Sequence, residues 1–135
     1  MKLLKLSMSA FGPYAGTETI DFRPFYRDGL LLIRGETGSG KTSILDAMTF
    51  VFFGQSSGGN RGDIQALRCH HSPLSAETCV ICDAAVARGL FRFKVRFRMI
   101  ARLTLAGAAA GYFMRSGNDA ARPRFKTEEI GRAHV

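Results

Sequence analysis

The chain has 135 residues, 46% of them hydrophobic, which suits one globular domain or part of one, and no apolar run is long enough to cross a membrane. The three cysteines are an odd number and no export signal is recognisable, so free thiols, a cytoplasmic protein and no membrane partner are predicted. The net charge of +8 favours a polyanionic partner such as nucleic acid, although a charge that only keeps the protein soluble is the alternative.

Two alternating segments at the start of the chain predict a β-hairpin. Apolar residues recur at every second position across residues 4–10, and residues 17–22 alternate again after the turn signal Gly12-Pro13. Phe11 and Tyr14 flank this turn. Aromatic side chains at a hairpin end usually cover the core, so core packing is expected for both, with stacking on a base as the alternative.

An apolar run and a helix are predicted on either side of a glycine-rich loop. Residues 30–33 are continuously apolar, which predicts a strand buried on both faces. Residues 43–53 contain no glycine or proline and are apolar almost all round, so they predict a buried helix that ends at Gly54. Asp46 is expected to anchor backbone near the helix start. A loop over 56–62 and a helical turn over 63–68 are predicted next.

The glycine-rich loop at 35–42 matches the P-loop pattern G-x-x-x-x-G-K-[ST] at every defined position. Backbone amides surround a triphosphate only if the loop wraps tightly, and glycines permit that wrap. Lys41 is predicted to hold the β- and γ-phosphates as the catalytic residue, and the Thr42 hydroxyl to bind Mg²⁺. A glycine-rich turn without a ligand is the alternative. The predicted ATP-binding residues are Gly35, Glu36, Thr37, Gly38, Ser39, Gly40, Lys41, Thr42 and Ser43.

ATP hydrolysis requires more than this loop. A carboxylate must help to hold the metal, and another group must orient the attacking water. No apolar run in the sequence ends in paired acids. The chain is therefore expected to bind nucleotide weakly and to hydrolyse essentially none alone.

Two further strands are predicted over residues 78–87 and 90–105, joined by a turn at Arg88-Gly89. One face of the second strand is apolar and the other is basic. Alternate residues on a strand lie about 7 Å apart, comparable to the phosphate spacing along one DNA strand. A solvated sheet face is the alternative. The candidate DNA-binding residues are Arg92, Lys94, Arg96 and Arg98.

Cysteines at positions 79 and 82 have the spacing of half a zinc site, with Cys69 upstream. Residues three apart on a strand point to opposite faces, however, so they cannot converge on one metal ion. Free cysteines also behave as small buried hydrophobic residues. Buried thiols are therefore favoured over zinc.

Several segments together resemble one family. Residues 1–6 running into 10–22, the P-loop with 43–48, and the Phe-Gly-Gln-Ser-Ser-Gly segment at 53–58 are similar to the N-terminus of the SbcC subunits of bacterial SbcCD nucleases. The similarity covers roughly the first half of the chain and is far more specific than a bare P-loop. It implies an α/β fold, namely part of a P-loop NTPase head of the ABC or SMC type, in which a mixed sheet with antiparallel strands flanks the P-loop helix.

The same resemblance implies the function. SbcC subunits are ATPases of an exonuclease and hairpin endonuclease complex that acts in DNA repair and recombination. Their head is completed by a C-terminal half across a long coiled coil, and two copies sandwich ATP. The DNA is cut by a separate, SbcD-like metallophosphoesterase. A structural, DNA-clamping ATPase of the SMC or RecF kind, without a nuclease partner, is the alternative.

Domain boundaries follow from where the resemblance fades. Residues 1–127 are interpreted as the truncated N-terminal lobe of such a head, although the fit is poor from residue 101 onward. One back-translation of residues 129–135 resembles a sequencing-library adaptor. Residues 128–135 are therefore predicted to be a non-native tail.

Overall fold

The computed structural model describes residues 1–27, 30–57, 64–87, 89–97 and 124–131. Across these ranges, one α-helix, α1 (Lys41–Phe53), accompanies 3₁₀ helices at Arg23–Arg27 and Ile64–Leu67. None of the described helices is long and apolar enough to cross a membrane. The strands are β1 (Lys2–Phe11), β2 (Tyr14–Asp21), β3 (Thr78–Val86), β4 (Gly89–Phe97) and β5 (Arg124–Gly131).

The strands form one sheet in the order β2-β1-β3-β4-β5. The two predicted hairpins, β1–β2 and β3–β4, are both present. All four pairings between these strands are antiparallel, so the expected mixed sheet is not found in the described part of the chain. Within each hairpin the reason is the short turn, which joins neighbouring strands only in the antiparallel sense. The longer β1–β3 and β4–β5 pairings lie outside what the local sequence pattern determines.

The strand predicted over residues 30–33 is wrong. This segment has no regular secondary structure, and the side chains of Leu30 and Leu32 are 81% and 75% exposed. A strand exists only where a neighbouring strand satisfies its backbone groups, and none of the described strands runs beside this segment. Ile33 alone of the run packs against the core, where it is half-buried.

The core lies between α1 and one face of the sheet. Phe50 of the helix is at its centre, with its ring 6.3 Å from that of Phe11 and 5.7 Å from that of Phe97. Apolar side chains from β1, β3, β4 and α1 surround these rings: Leu6, Met8, Val80, Val95, Ile44, Ala47 and Val51. The contacts fix the start of α1, and with it the glycine-rich loop, over the sheet.

Helix α1 confirms the predicted span and end. Its last turn is closed by Gly54, which has a φ of 71° and donates its N–H to the carbonyl of Phe50 at 2.9 Å. The predicted burial almost all round is wrong, because Leu45 is 51% and Phe53 75% exposed. A helix on a single sheet buries only the side that faces the sheet.

Candidate phosphate-binding site

The glycine-rich loop wraps tightly before it enters α1. Gly38 and Gly40 have φ values of +86° and +88°, in the left-handed region that favours glycine. The Ser39 N–H bonds the Glu36 carbonyl at 3.1 Å and closes a turn. A Cβ placed on Gly35 would lie 2.7 Å from the Ser39 hydroxyl oxygen. The loop therefore folds back on itself, and side chains at its glycines would obstruct it.

The side chain of Lys41 reaches back across this loop. Its ammonium group donates to the carbonyls of Gly35 at 2.8 Å and Glu36 at 2.6 Å, and lies 3.3 Å from the Ser39 hydroxyl. Thr42, next in the chain, is exposed. A cation across the loop and an accessible hydroxyl are thus brought to the same end of α1.

The start of α1 adds to this positive potential. The first amides of a helix have no intrahelical acceptor, and the helix dipole places partial positive charge there. No acidic residue occupies the first turn of the fully described α1 to offset it. The loop, the lysine and the helix end together favour an anion with several oxygen acceptors.

Tyr14 contributes a contact that the sequence reasoning missed. Its ring is half-buried beside the loop, and its hydroxyl donates to the Gly40 carbonyl at 3.2 Å. Burial, followed by the charge of Glu18, raises the pKa of the Tyr14 hydroxyl, so it stays protonated at neutral pH. Core packing is confirmed for Phe11, which is 0% exposed, but Tyr14 contacts the loop as well. Its place directly after Gly-Pro, within the predicted turn, was the available signal.

Asp46 anchors backbone, as predicted, but at the far end of the helix. Its carboxylate is buried and accepts the Ser57 N–H at 2.9 Å and the Ser57 hydroxyl at 2.5 Å. These bonds tie the segment after α1 back onto the helix. The carboxylate thus stabilises the loop that follows α1.

The basic face of β4 is mixed in sign. Arg92 forms a two-point ion pair with Asp83 at 2.7 and 2.9 Å, and Arg96 lies 3.7 Å from Glu77. The hydrogen bond from Asp83 raises the pKa of the Arg92 guanidinium further. Both acids come from β3 or the residue before it, which is why β4 alone gave no sign of them.

Two more cations lie beside this face. In the β4–β5 register Lys94 is opposite Lys126, and Arg96 is opposite Arg124. Of the predicted set, Arg98 lies outside the described residues. The cationic character is therefore concentrated at the Lys94 end, and the Arg92 end is largely neutralised.

The cysteines do not converge. Cys82 is buried on the core side of β3, whereas Cys79 is half-buried on the opposite face, and Cys69 is buried elsewhere. The described residues contain no group of three or more side chains that would hold a metal ion. Burial raises the pKa of the Cys82 thiol to about 12, which makes it unreactive near neutral pH.

Comparison with known proteins agrees with the loop geometry. The sequence profile of the family described as AAA domain matches residues 5–115. The chain is 42% identical over 87 residues to the SbcC subunit of the SbcCD nuclease of Vibrio cholerae, a match that covers 64% of this chain. SbcC subunits from Treponema pallidum and Staphylococcus saprophyticus are 30% identical over 92 residues and 46% identical over 70 residues, covering 68% and 52% of this chain.

These matches confirm the resemblance to SbcC subunits. They also show how little of each relative is represented, because the matched regions span only 8%, 9% and 7% of the three relatives. The profile match ends at residue 115, before the residues interpreted as a non-native tail.

Proposed function

The chain belongs to the AAA-domain family, and on that premise we propose that residues 35–43 bind the triphosphate of ATP with Mg²⁺. The observation that carries the proposal is the Lys41 ammonium held across a loop that Gly35, Gly38 and Gly40 allow to close. Such a loop offers amides and one cation to an anion within a few ångströms. Lys41 then stabilises charge on the β- and γ-phosphates.

The residues present fit Mg²⁺-ATP in part. Mg²⁺ prefers oxygen ligands, and the exposed Thr42 supplies a hydroxyl oxygen beside the loop. Bound Mg²⁺ would neutralise phosphate charge. The acidic metal ligand and the group that orients water are assigned to a further part of the polypeptide, which the much longer relatives support. This chain alone is therefore proposed to bind nucleotide weakly and to turn over essentially none.

A titration with a fluorescent ATP analogue and Mg²⁺ tests this assignment. Wild-type chain should bind saturably, and Lys41→Ala should bind about tenfold or more weakly, because a charged hydrogen-bond donor is lost. Lys5→Ala is the matched control, since Lys5 is exposed on β1 and carries the same charge. Equal affinity for Lys41→Ala and wild type would contradict the assignment. Steady-state hydrolysis by the chain alone that disappears in Lys41→Ala would contradict the limited role.

In the cell, the whole protein is proposed to be the ATPase subunit of a cytoplasmic DNA exonuclease and hairpin endonuclease complex of the SbcCD type. It would act in DNA repair and recombination, pair with a second copy through ATP-sandwiched heads, and bind an SbcD-like metallophosphoesterase. The relatives are all named as the SbcC part of an SbcCD nuclease, which supports this reading over a DNA-clamping ATPase without a nuclease. Purification of the full-length protein without a phosphoesterase bound to it would favour the clamp.

DNA contact is proposed at the basic face of β4, with Lys94 as its strongest member. None of the ion pairs between described side chains includes Lys94, whereas Arg92 is held by Asp83. Each phosphate contact lowers the logarithm of affinity with salt by a slope of about 0.9. Lys94→Ala should reduce the measured slope by about 1, and Arg92→Ala should change it less. An unchanged slope in Lys94→Ala would identify the face as merely solvated.

A further inference from the structure

The turn between β1 and β2 is fixed from behind by the segment that follows the second 3₁₀ helix. The Gly12 N–H donates to the Leu67 carbonyl at 2.8 Å, and the Ala10 carbonyl accepts the Cys69 N–H at 2.9 Å. The buried Thr78 hydroxyl donates to the same Ala10 carbonyl at 3.1 Å. The turn is thus a rigid support, because both of its sides are hydrogen-bonded to other parts of the chain.

The front of this turn presses on the phosphate loop. A Cβ on Gly40 would lie 2.6 Å from the Tyr14 hydroxyl oxygen and 2.8 Å from Cγ of Pro13. One on Gly12 would lie 2.8 Å from the Ser43 hydroxyl oxygen. The closeness of these two contacts means that the hairpin turn and the start of α1 are packed without room for an added methyl group. Displacing one therefore displaces the other.

The contact with Gly40 has a directional consequence. The Gly40 carbonyl accepts the Tyr14 hydroxyl at 3.2 Å and the Ile44 N–H at 3.3 Å, so two donors hold it on the helix side. The peptide that joins Gly40 to Lys41 is planar and trans, so the Lys41 N–H points the opposite way. Fixing the carbonyl therefore fixes the direction of an amide at the mouth of the loop.

We propose that Tyr14 is a positioning residue for the phosphate loop, whose hydroxyl aims the Lys41 amide at the bound polyphosphate through the Gly40 carbonyl. The inference rests on the proposed nucleotide site and assigns to it a support outside the P-loop motif. The hydroxyl, not the ring, performs this role, since the hydrogen bond to Gly40 comes from the hydroxyl alone. Stacking of the ring on adenine would act on the base, whereas this support acts on the phosphates.

The test compares Tyr14→Phe with Tyr26→Phe in the whole 135-residue chain. The Tyr26 hydroxyl donates to the Leu3 carbonyl, far from the loop, so the control removes the same group and one backbone bond. Affinity is measured for a fluorescent ATP analogue with Mg²⁺ and, by competition, for inorganic tripolyphosphate. The amide chemical shift and hydrogen exchange of Lys41 are measured by NMR without nucleotide, and urea unfolding confirms that each variant is folded.

The expected result is a loss of about two- to tenfold in affinity for both probes in Tyr14→Phe, the range of one neutral hydrogen bond. The Lys41 amide should shift and exchange faster in that variant, and Tyr26→Phe should match wild type in all three readouts. Wild-type affinity in Tyr14→Phe, while Lys41→Ala has lost binding, would overturn the positioning role and leave the nucleotide site standing. A loss confined to the ATP analogue would overturn it in favour of base stacking. Absence of binding by wild type would overturn the nucleotide site itself.

Discussion

Truncating Phe50 should separate the phosphate loop's helix from the sheet more than any other single change in α1. The side chain is 0% exposed and its ring contacts those of Phe11 and Phe97 at 6.3 and 5.7 Å. Phe→Ala changes at buried positions cost about 3–5 kcal/mol, since they remove apolar burial and leave a cavity. Typical domains have about 5–15 kcal/mol in total. Phe50→Ala therefore threatens the fold, and Phe50→Leu should give a smaller loss in the same direction.

Urea unfolding followed by circular dichroism measures the effect, with Phe53→Ala as the matched control. Phe53 is three residues further along the same helix and is 75% exposed, so its truncation should change the free energy of unfolding by no more than about 0.5 kcal/mol. With a slope of about 2 kcal/mol per molar urea, Phe50→Ala should lower the midpoint by roughly 2 M. Equal losses for the two variants would refute the packing of α1 on the sheet through Phe50.

Three further predictions use groups outside the core centre. Among the cysteines, Cys79 should be the only one alkylated in the folded chain, increasingly fast above neutral pH because burial raises its pKa, while Cys82 reacts only after unfolding; mass spectrometry counts the labels. Gly54→Ala should lower the free energy of unfolding by about 1–2 kcal/mol, because its φ of 71° is strained for any residue with a Cβ; no loss in urea unfolding would refute the helix cap. The Arg23 guanidinium lowers the pKa of Asp21 from 3.8 to about 2, so the stabilisation it gives is present above about pH 4 and lost as pH falls towards 2; Asp21→Asn should show less acid destabilisation over that window.

Local patterns in the sequence predicted most elements of the fold. The alternation in β1 and β4, the turn signals between paired strands and the glycine after α1 are all properties of neighbouring residues. The apolar run at residues 30–33 shows the limit of that reasoning. Apolar residues specify burial only where another element covers them, and none of the described strands runs beside this segment.

The candidate site divides in the same way. The P-loop residues were recognisable because their chemistry requires a fixed spacing, and the loop is found in a tight, lysine-spanned form. The support from Tyr14 depends on a contact between residues 26 positions apart, which no periodicity encodes. The ion pair between Asp83 and Arg92 depends on the exact β3–β4 register, which a predicted hairpin leaves undetermined until the turn is located.

Mapping the nucleotide onto the backbone by NMR tests the central claim most directly. Titration of Mg²⁺-ATP into ¹⁵N-labelled chain should move the amides of Gly38, Gly40, Lys41 and Thr42 most, because these are proposed to surround the phosphates. The same amides should respond to inorganic tripolyphosphate, which carries no base. Largest shifts on the outer face of the sheet around Lys94, with the amides of residues 35–43 unmoved, would mean that the anion binds only to surface cations and would contradict the nucleotide site.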